Sequence, residues 1–94
     1  MQSIWKYPFA VGVASQAFEM PTGARVLTIQ MQGTTPTIWV LVDVPTNGPE
    51  DYESRVFSIH VTGGEVDKIR GEYIGTFQVN GFVGHVFETT KVAA

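Results

Sequence analysis

Ser58, His60 and Thr62 occupy alternate positions of "RVFSIHVTGG", and the pair Gly63-Gly64 follows at once. In an extended chain alternate side chains project from one face. Two hydroxyls and an imidazole therefore stand side by side, next to backbone that can turn its N–H groups outward. This set suits a phosphate, because hydroxyls and a ring N–H donate to its oxygens and a glycine turn can form an anion nest. The plain alternative is a polar stripe on the wet face of an antiparallel sheet. His85, in "GFVGHVFE", reads either as a half-buried ring bonded to a neighbouring hydroxyl or as a donor lining a pocket. Lys68 and Arg70 flank Ile69 shortly after the glycine pair. They either approach the same anion or snorkel at the surface.

The triplet His60-Val61-Thr62 also resembles the His-x-Thr element that phosphoesterases of the two-histidine class use twice. In that class each histidine acts as acid or base, and each hydroxyl helps to hold phosphate. In this chain His85 is followed at the same spacing by Phe87, so the pair is incomplete. Two histidines with scattered carboxylates give no compact metal-ligand spacing. No G-x-S-x-G element, Walker loop or dinucleotide fingerprint is present. Glu50, Asp51 and Glu53 cluster in a segment that reads as a loop, where acids are solvated. The expectation is a protein without catalytic residues, metal or cofactor.

The elements that position these groups read as strands. Val, Ile, Thr and aromatics dominate, and Gly or Pro punctuates the chain about every ten residues, the spacing of short strands joined by turns. "SIWKYPFAV" alternates, and Pro8 makes it an edge strand or ends it. "QAFEM" stops at Pro21. "ARVLTIQMQ" places Arg25, Leu27, Ile29 and Met31 on one face. "TIWVLVDV" is apolar on both faces, with Ile38, Val40 and Val42 against Trp39 and Leu41, as in a central strand or a subunit contact. Pro45 to Ser54 reads as a polar loop. Asn80-Gly81 has the composition of a two-residue hairpin turn. In that register Val79 faces Phe82, Phe77 faces Gly84, Gly75 faces Val86, Gln78 faces Val83, Thr76 faces His85 and Ile74 faces Phe87. Aromatic rings then cover bare backbone. The fold class is all-β, a small antiparallel sandwich or open barrel of six to seven strands.

With 94 residues, the chain holds one core and one domain, residues 1–94. Domains of this size gain stability from disulfides, a metal or a partner subunit. Cysteine is absent, which removes disulfides and thiolate metal sites, so association with itself into a homo-oligomer is expected. A net charge of −3 argues against a broad basic face for duplex nucleic acid. No apolar run approaches the ~20 residues of a membrane helix, and the N-terminus lacks a basic region followed by an apolar core. A soluble, cytoplasmic protein with no membrane partner is expected.

"SIWKYP", "MPTGARVLTIQMQ" with "PTIWVLVD", "RVFSIHVTGG" and "YIGTFQ" with "GFVGHVFE" together resemble a family of short bacteriophage-encoded proteins of unassigned function. That family typically reads an IWKYP opening, a Met-Pro-x-Gly-Ala step, a Gly-Thr-Gly after the fifth run, and a closing Gly-Thr-Phe with His-Val-Phe-Glu. The resemblance spans nearly the whole chain. "VTGG" stands where relatives tend to read Gly-Thr-Gly, and Gly84 stands where an aromatic often precedes the histidine. The resemblance implies a phage protein made in the host cytoplasm and acting by binding. One recurrent class of such proteins is compact oligomers that sequester nucleotide signals of host immunity.

Three functions follow as expectations. The first is a homo-oligomeric, non-catalytic binder of a small anionic nucleotide-like ligand. Trp5, Tyr7 or Trp39 would stack a base, while Arg25, Lys68, Arg70 or His60 would meet phosphate, with Ser58, Thr62, Gly63, Gly64 and His85 around it. The second is an interaction module that blocks a host protein through the edge strand bearing Trp5 and Tyr7. The third is a phosphoesterase acting on a cyclic nucleotide.

Overall fold

Asn80 and Gly81 adopt positive φ, 50° and 81°, the signature of a type I′ turn whose twist matches the strands it joins. From this turn the last hairpin runs in the expected register, with Val79 opposite Phe82, Phe77 opposite Gly84, Thr76 opposite His85 and Gly75 opposite Val86. The computed structural model describes residues 1–49, 51–64 and 71–93. Seven strands form in chain order: β1 Gln2–Pro8, β2 Ser15–Pro21, β3 Arg25–Gln32, β4 Thr35–Asp43, β5 Tyr52–Val61, β6 Glu72–Val79 and β7 Phe82–Ala93. All pair antiparallel in two sheets, ordered β1-β4-β3 and β2-β5-β7-β6.

The two sheets face one another as a sandwich around Met20, Ile38, Val40, Val42, Phe57 and Val86, all essentially without solvent exposure. Alternation explains how: Ile38, Val40 and Val42 point inward from β4, the central strand of its sheet, while Phe57 and Val86 point inward from β5 and β7. Phe18 knits the layers, with ring centroids 5.5 Å from Tyr7, 5.4 Å from Phe9 and 6.0 Å from Phe57. The Phe9 pair is edge-on and the other two are tilted, and such aromatic pairs add to area burial. β1 is both an edge strand and ends at Pro8, as the missing donor requires. The 9–14 loop, the Gly33-Thr34 turn and the Asn80-Gly81 turn share the upper end of the sandwich; the β2–β3 and β4–β5 connections share the lower end.

Three local expectations are corrected. In β3 the register shifts between Val26 and Thr28, a bulge that changes the inward phase. Val26 packs against the core before it and Ile29 and Met31 after it, while Leu27 is 43 % exposed and does not share their face. In β6 a second shift lies between Tyr73 and Gly75, so that Tyr73, and not Ile74, faces Phe87. The segment Pro45 to Ser54 is not loop throughout, because β5 begins at Tyr52. Glu53 in particular is no solvated loop acid: it is buried in β5 and accepts the Gly23 N–H at 3.1 Å.

Glu53 is buried because an arginine is buried beside it. Arg55 is only 5 % exposed and shares the inward face with Phe57. Its Nε and Nη2 donate to the two carboxylate oxygens of Glu88 at 2.7 and 2.9 Å, Nη1 donates to the Ala24 carbonyl, and Glu53 lies 3.8 Å away. The fork geometry satisfies a charge that would otherwise be costly to bury. The Glu88 carboxylate, through this hydrogen bond, holds the guanidinium above its ordinary range against the opposing effect of burial.

Candidate functional site

Each strand turns alternate residues outward, so the outer face of the four-stranded sheet carries Ser58 and His60 from β5, His85 and Phe87 from β7, and Tyr73 and Thr76 from β6. The strand order places β7 between β5 and β6, and the β5–β7 register sets His60 directly opposite His85. Two histidines separated by 25 positions in the chain are thus cross-strand neighbours. Directly opposed side chains lie with Cβ atoms about 4.5–5.5 Å apart.

Hydroxyls surround the pair. Ser58 Oγ lies 3.0 Å from His60 Nε2, Thr62 Oγ1 lies 2.7 Å from His85 Nε2, and Thr76 Oγ1 lies 2.9 Å from His85 Nδ1. The chain continues from Thr76 to the Tyr73 hydroxyl at 2.6 Å. His85 therefore has two hydroxyl partners, one on each ring nitrogen, where the hairpin register alone supplies one. Thr62 belongs to His85 and not to His60. Because a hydroxyl either donates or accepts, this network accommodates either tautomer of His85, and a doubly protonated ring as well. Phe87 lies edge-on to His60, with centroids 5.7 Å apart, and tilted against Tyr73 at 5.4 Å.

Beside the pair is a depression of about 610 Å³, walled by His60, Thr62, Gly63, Gly64, Tyr73 and Phe87 among others. The rim is a tight turn. Gly63 has φ of 76° and the Gly64 N–H donates to the Val61 carbonyl at 3.2 Å, which is the pattern of a type II turn with glycine at its third position. Of the backbone donors expected to form an anion nest, the Gly64 N–H closes this turn.

Of the residues expected to bind a ligand, Ser58, His60, Thr62, Gly63, Gly64 and His85 come together. The others do not join them. Trp5 and Tyr7 point into the sandwich and pack on its core, where burial, with the Tyr52 charge adding to it, raises the Tyr7 phenol above its ordinary range. Trp39 lies on the opposite sheet, its Nε1 buried without a hydrogen-bond partner among the described residues. Arg25 lines a separate depression at the lower end with Arg55, Glu72 and Glu88. Lys68 and Arg70 lie outside the described residues. Tyr73 and Phe87 were not expected as ligand contacts, although they supply the benzenoid rings among the lining residues. Phe87 was legible at period two from His85; Tyr73 was hidden by the β6 bulge.

Among the described residues no group of three or more His, Asp or Glu side chains could hold a metal ion, and no helix is long and apolar enough to cross a membrane. No curated protein and no solved structure matches the chain. The likeness to a family of unassigned function does extend over the full length: residues 1–94 match the family described as a domain of unknown function, DUF7352, and the chain belongs to that family.

Proposed function

We propose that the protein binds a small anionic, nucleotide-like ligand on the two-histidine face and holds it without chemical change. The observation that carries this reading is the cross-strand pair of His60 and His85 in a bed of four hydroxyls, from Ser58, Thr62, Tyr73 and Thr76. Rotatable hydroxyl and imidazole donors suit phosphate oxygens. The exposed ring of Tyr73 beside Phe87 suits a base, and so takes the stacking role first given to Trp5, Tyr7 and Trp39. No described carboxylate hydrogen-bonds to either histidine, so neither has the orienting partner that a general base normally uses. In this reading the protein is a phage-type sequestering protein of the host cytoplasm, removing a nucleotide signal of host immunity. It works as a homo-oligomer, with a neighbouring subunit completing a depression that one chain leaves open.

Calorimetric titration with cyclic di- and trinucleotides and with ADP-ribose derivatives tests it. Heat with one of these, lost in His60→Ala, is expected; no heat with any of them sinks the reading. Native mass spectrometry reports the subunit number and any co-purified ligand together, and a monomer at micromolar concentration would count against the oligomer.

One observation favours a second reading. The direct opposition of the two histidines is closer to a two-histidine phosphoesterase than the incomplete His-x-Phe spacing suggests. Incubation with a cyclic dinucleotide, denaturation and chromatography separate the two: a binder returns the ligand intact, and an enzyme does not.

A further inference from the structure

The upper end of the sandwich is not closed by side chains. Between the two sheets a cavity of about 280 Å³ opens there, with Phe9, Val13, Pro36, Ile59, Phe77 and Val79 in its walls and Val11 and Phe82 at its rim. None of its lining residues is charged; the polar ones are Thr34 and Thr35. Its lining differs from that of the histidine depression except at Ile59, which borders both; Val13 lines this cavity and Ala14, which accepts the Ile59 N–H at 2.8 Å, lines the depression.

We propose that this cavity is a binding site for a flat aromatic ring carrying at most one or two polar substituents. Three features argue for that occupant. The volume exceeds the roughly 150 Å³ of an apolar cavity that admits benzene, and falls just below the range of drug-sized pockets. Three phenylalanines meet there, with Phe77 and Phe82 at 5.9 Å and tilted by 37°, so a ring entering between the sheets finds both faces and edges to pair with. Thr34 and Thr35, on the β3–β4 turn and the start of β4, place polar groups on one side only, which orients a substituent toward water. The rim is unusually apolar for a loop end: Val11 is fully exposed and Phe82 is 43 % exposed. Both are positioned to bury themselves against an occupant.

Gly84 shapes the cavity. A Cβ there would lie 2.4 Å from Phe77 Cζ and 2.6 Å from Cε1, so the ring of Phe77 rests on bare backbone of β7. A side chain at position 84 drives that ring away from β7 and into the space between the sheets.

Amide-resolved NMR titration with indole, cyclohexanol and hexanoate tests the site on the full chain. Indole is expected to shift the amides of Phe9, Val13, Ile59, Phe77 and Phe82 and to leave those of His60 and Tyr73 in place. Gly84→Ala is expected to weaken indole binding about tenfold, the size of one lost aromatic pairing. Val13→Phe adds volume from a residue of the cavity wall that lies in a loop between β1 and β2 and is expected to abolish binding while the chain still folds. It decides the matter if Gly84→Ala does not fold. Absence of shifts at millimolar indole, or shifts that survive Val13→Phe, overturns the site. Equal affinity for cyclohexanol or hexanoate overturns the aromatic assignment.

Discussion

Glu88→Gln removes the charge from the carboxylate that clasps Arg55 while keeping its shape. Two hydrogen bonds between a cation and an anion, at 2.7 and 2.9 Å, become at best one bond from the guanidinium to a neutral amide oxygen, because the amide nitrogen of Gln cannot accept. Bonds to charged groups are worth about 1.5–3 kcal/mol each, and breaking a buried pair costs about 3–5 kcal/mol. The guanidinium is not wholly abandoned, since Glu53 remains at 3.8 Å and the Ala24 carbonyl remains bonded. The lower end of that range, about 3 kcal/mol, is therefore expected. A chain of this length is stable by about 5–14 kcal/mol, so the loss is large enough to read cleanly. Urea unfolding followed by tryptophan fluorescence measures it, and an unchanged slope shows that the midpoint shift is a stability change. Glu53→Gln should cost less, about 1 kcal/mol, because its contact with Arg55 is longer and the amide oxygen of Gln still accepts the Gly23 N–H. Arg55→Met combined with Glu53→Leu and Glu88→Leu should recover much of the loss, as apolar replacement of buried ion clusters does. A cost below about 1 kcal/mol for Glu88→Gln, the value of an exposed ion pair, would refute the claim that this cluster is desolvated.

Asn80→Ala and Gly81→Ala should each lower stability by about 1–2 kcal/mol, because both positions hold positive φ: Asn tolerates that region through local hydrogen bonds of its side chain, which Ala lacks, and Gly81 would gain a Cβ that is penalised there; denaturation of each variant checks this. His85→Gln should lower the melting temperature more than ligand affinity, and His60→Ala the reverse, each by about 1–3 kcal/mol for the lost hydrogen bonds, measured by thermal melts and calorimetry in parallel. Burial holds the neutral form of Tyr7, so the folded state keeps its proton above the usual phenol range near ~10. Stability from this group is full below that pH and declines as pH rises through the folded value, so Tyr7→Phe should flatten the alkaline limb of a stability-against-pH profile.

The parts of the fold that the sequence made legible are those where local chemistry decides geometry. Asn80-Gly81 and the facing residues from Val79–Phe82 to Gly75–Val86 follow from turn type and the two-residue period alone. So does Phe77 over Gly84, where a large side chain meets none. The reading failed wherever an extra residue entered a strand. Nothing in "RVLTIQ" marks Leu27 as a bulge, because every residue in it suits a strand; the sheet it packs against selects the inward phase. Tyr73 was lost to the same cause. Glu53 reads as a solvated loop acid because its burial depends on Arg55 and, through it, on Glu88, which lies 33 positions beyond Arg55. The candidate site was half legible: its residues on β5 form a pattern by themselves, whereas the contribution of β6 depends on β7 lying between the two strands.

The strand order has a consequence for how the chain reaches its native state. Only β3–β4 and β6–β7 are hairpins closed by short turns; β1 must find β4, β2 must find β5, and β5 must find β7 across long intervals, with Gln2 meeting Asp43 and Ser15 meeting Ser58. Distant pairings demand loop-closure entropy before contacts repay it, and such topologies fold slowly, in milliseconds to seconds. The two hairpins are the natural early structures, each carrying one central strand on which the later ones assemble: β4 receives β1, and β7 receives β5. Weakening the Asn80-Gly81 turn should then slow refolding, whereas weakening β1 or β2 should chiefly quicken unfolding. His85 is already in place on the early hairpin opposite Thr76. His60 arrives only when β5 docks, so the two-histidine face comes into being at the step that completes the larger sheet.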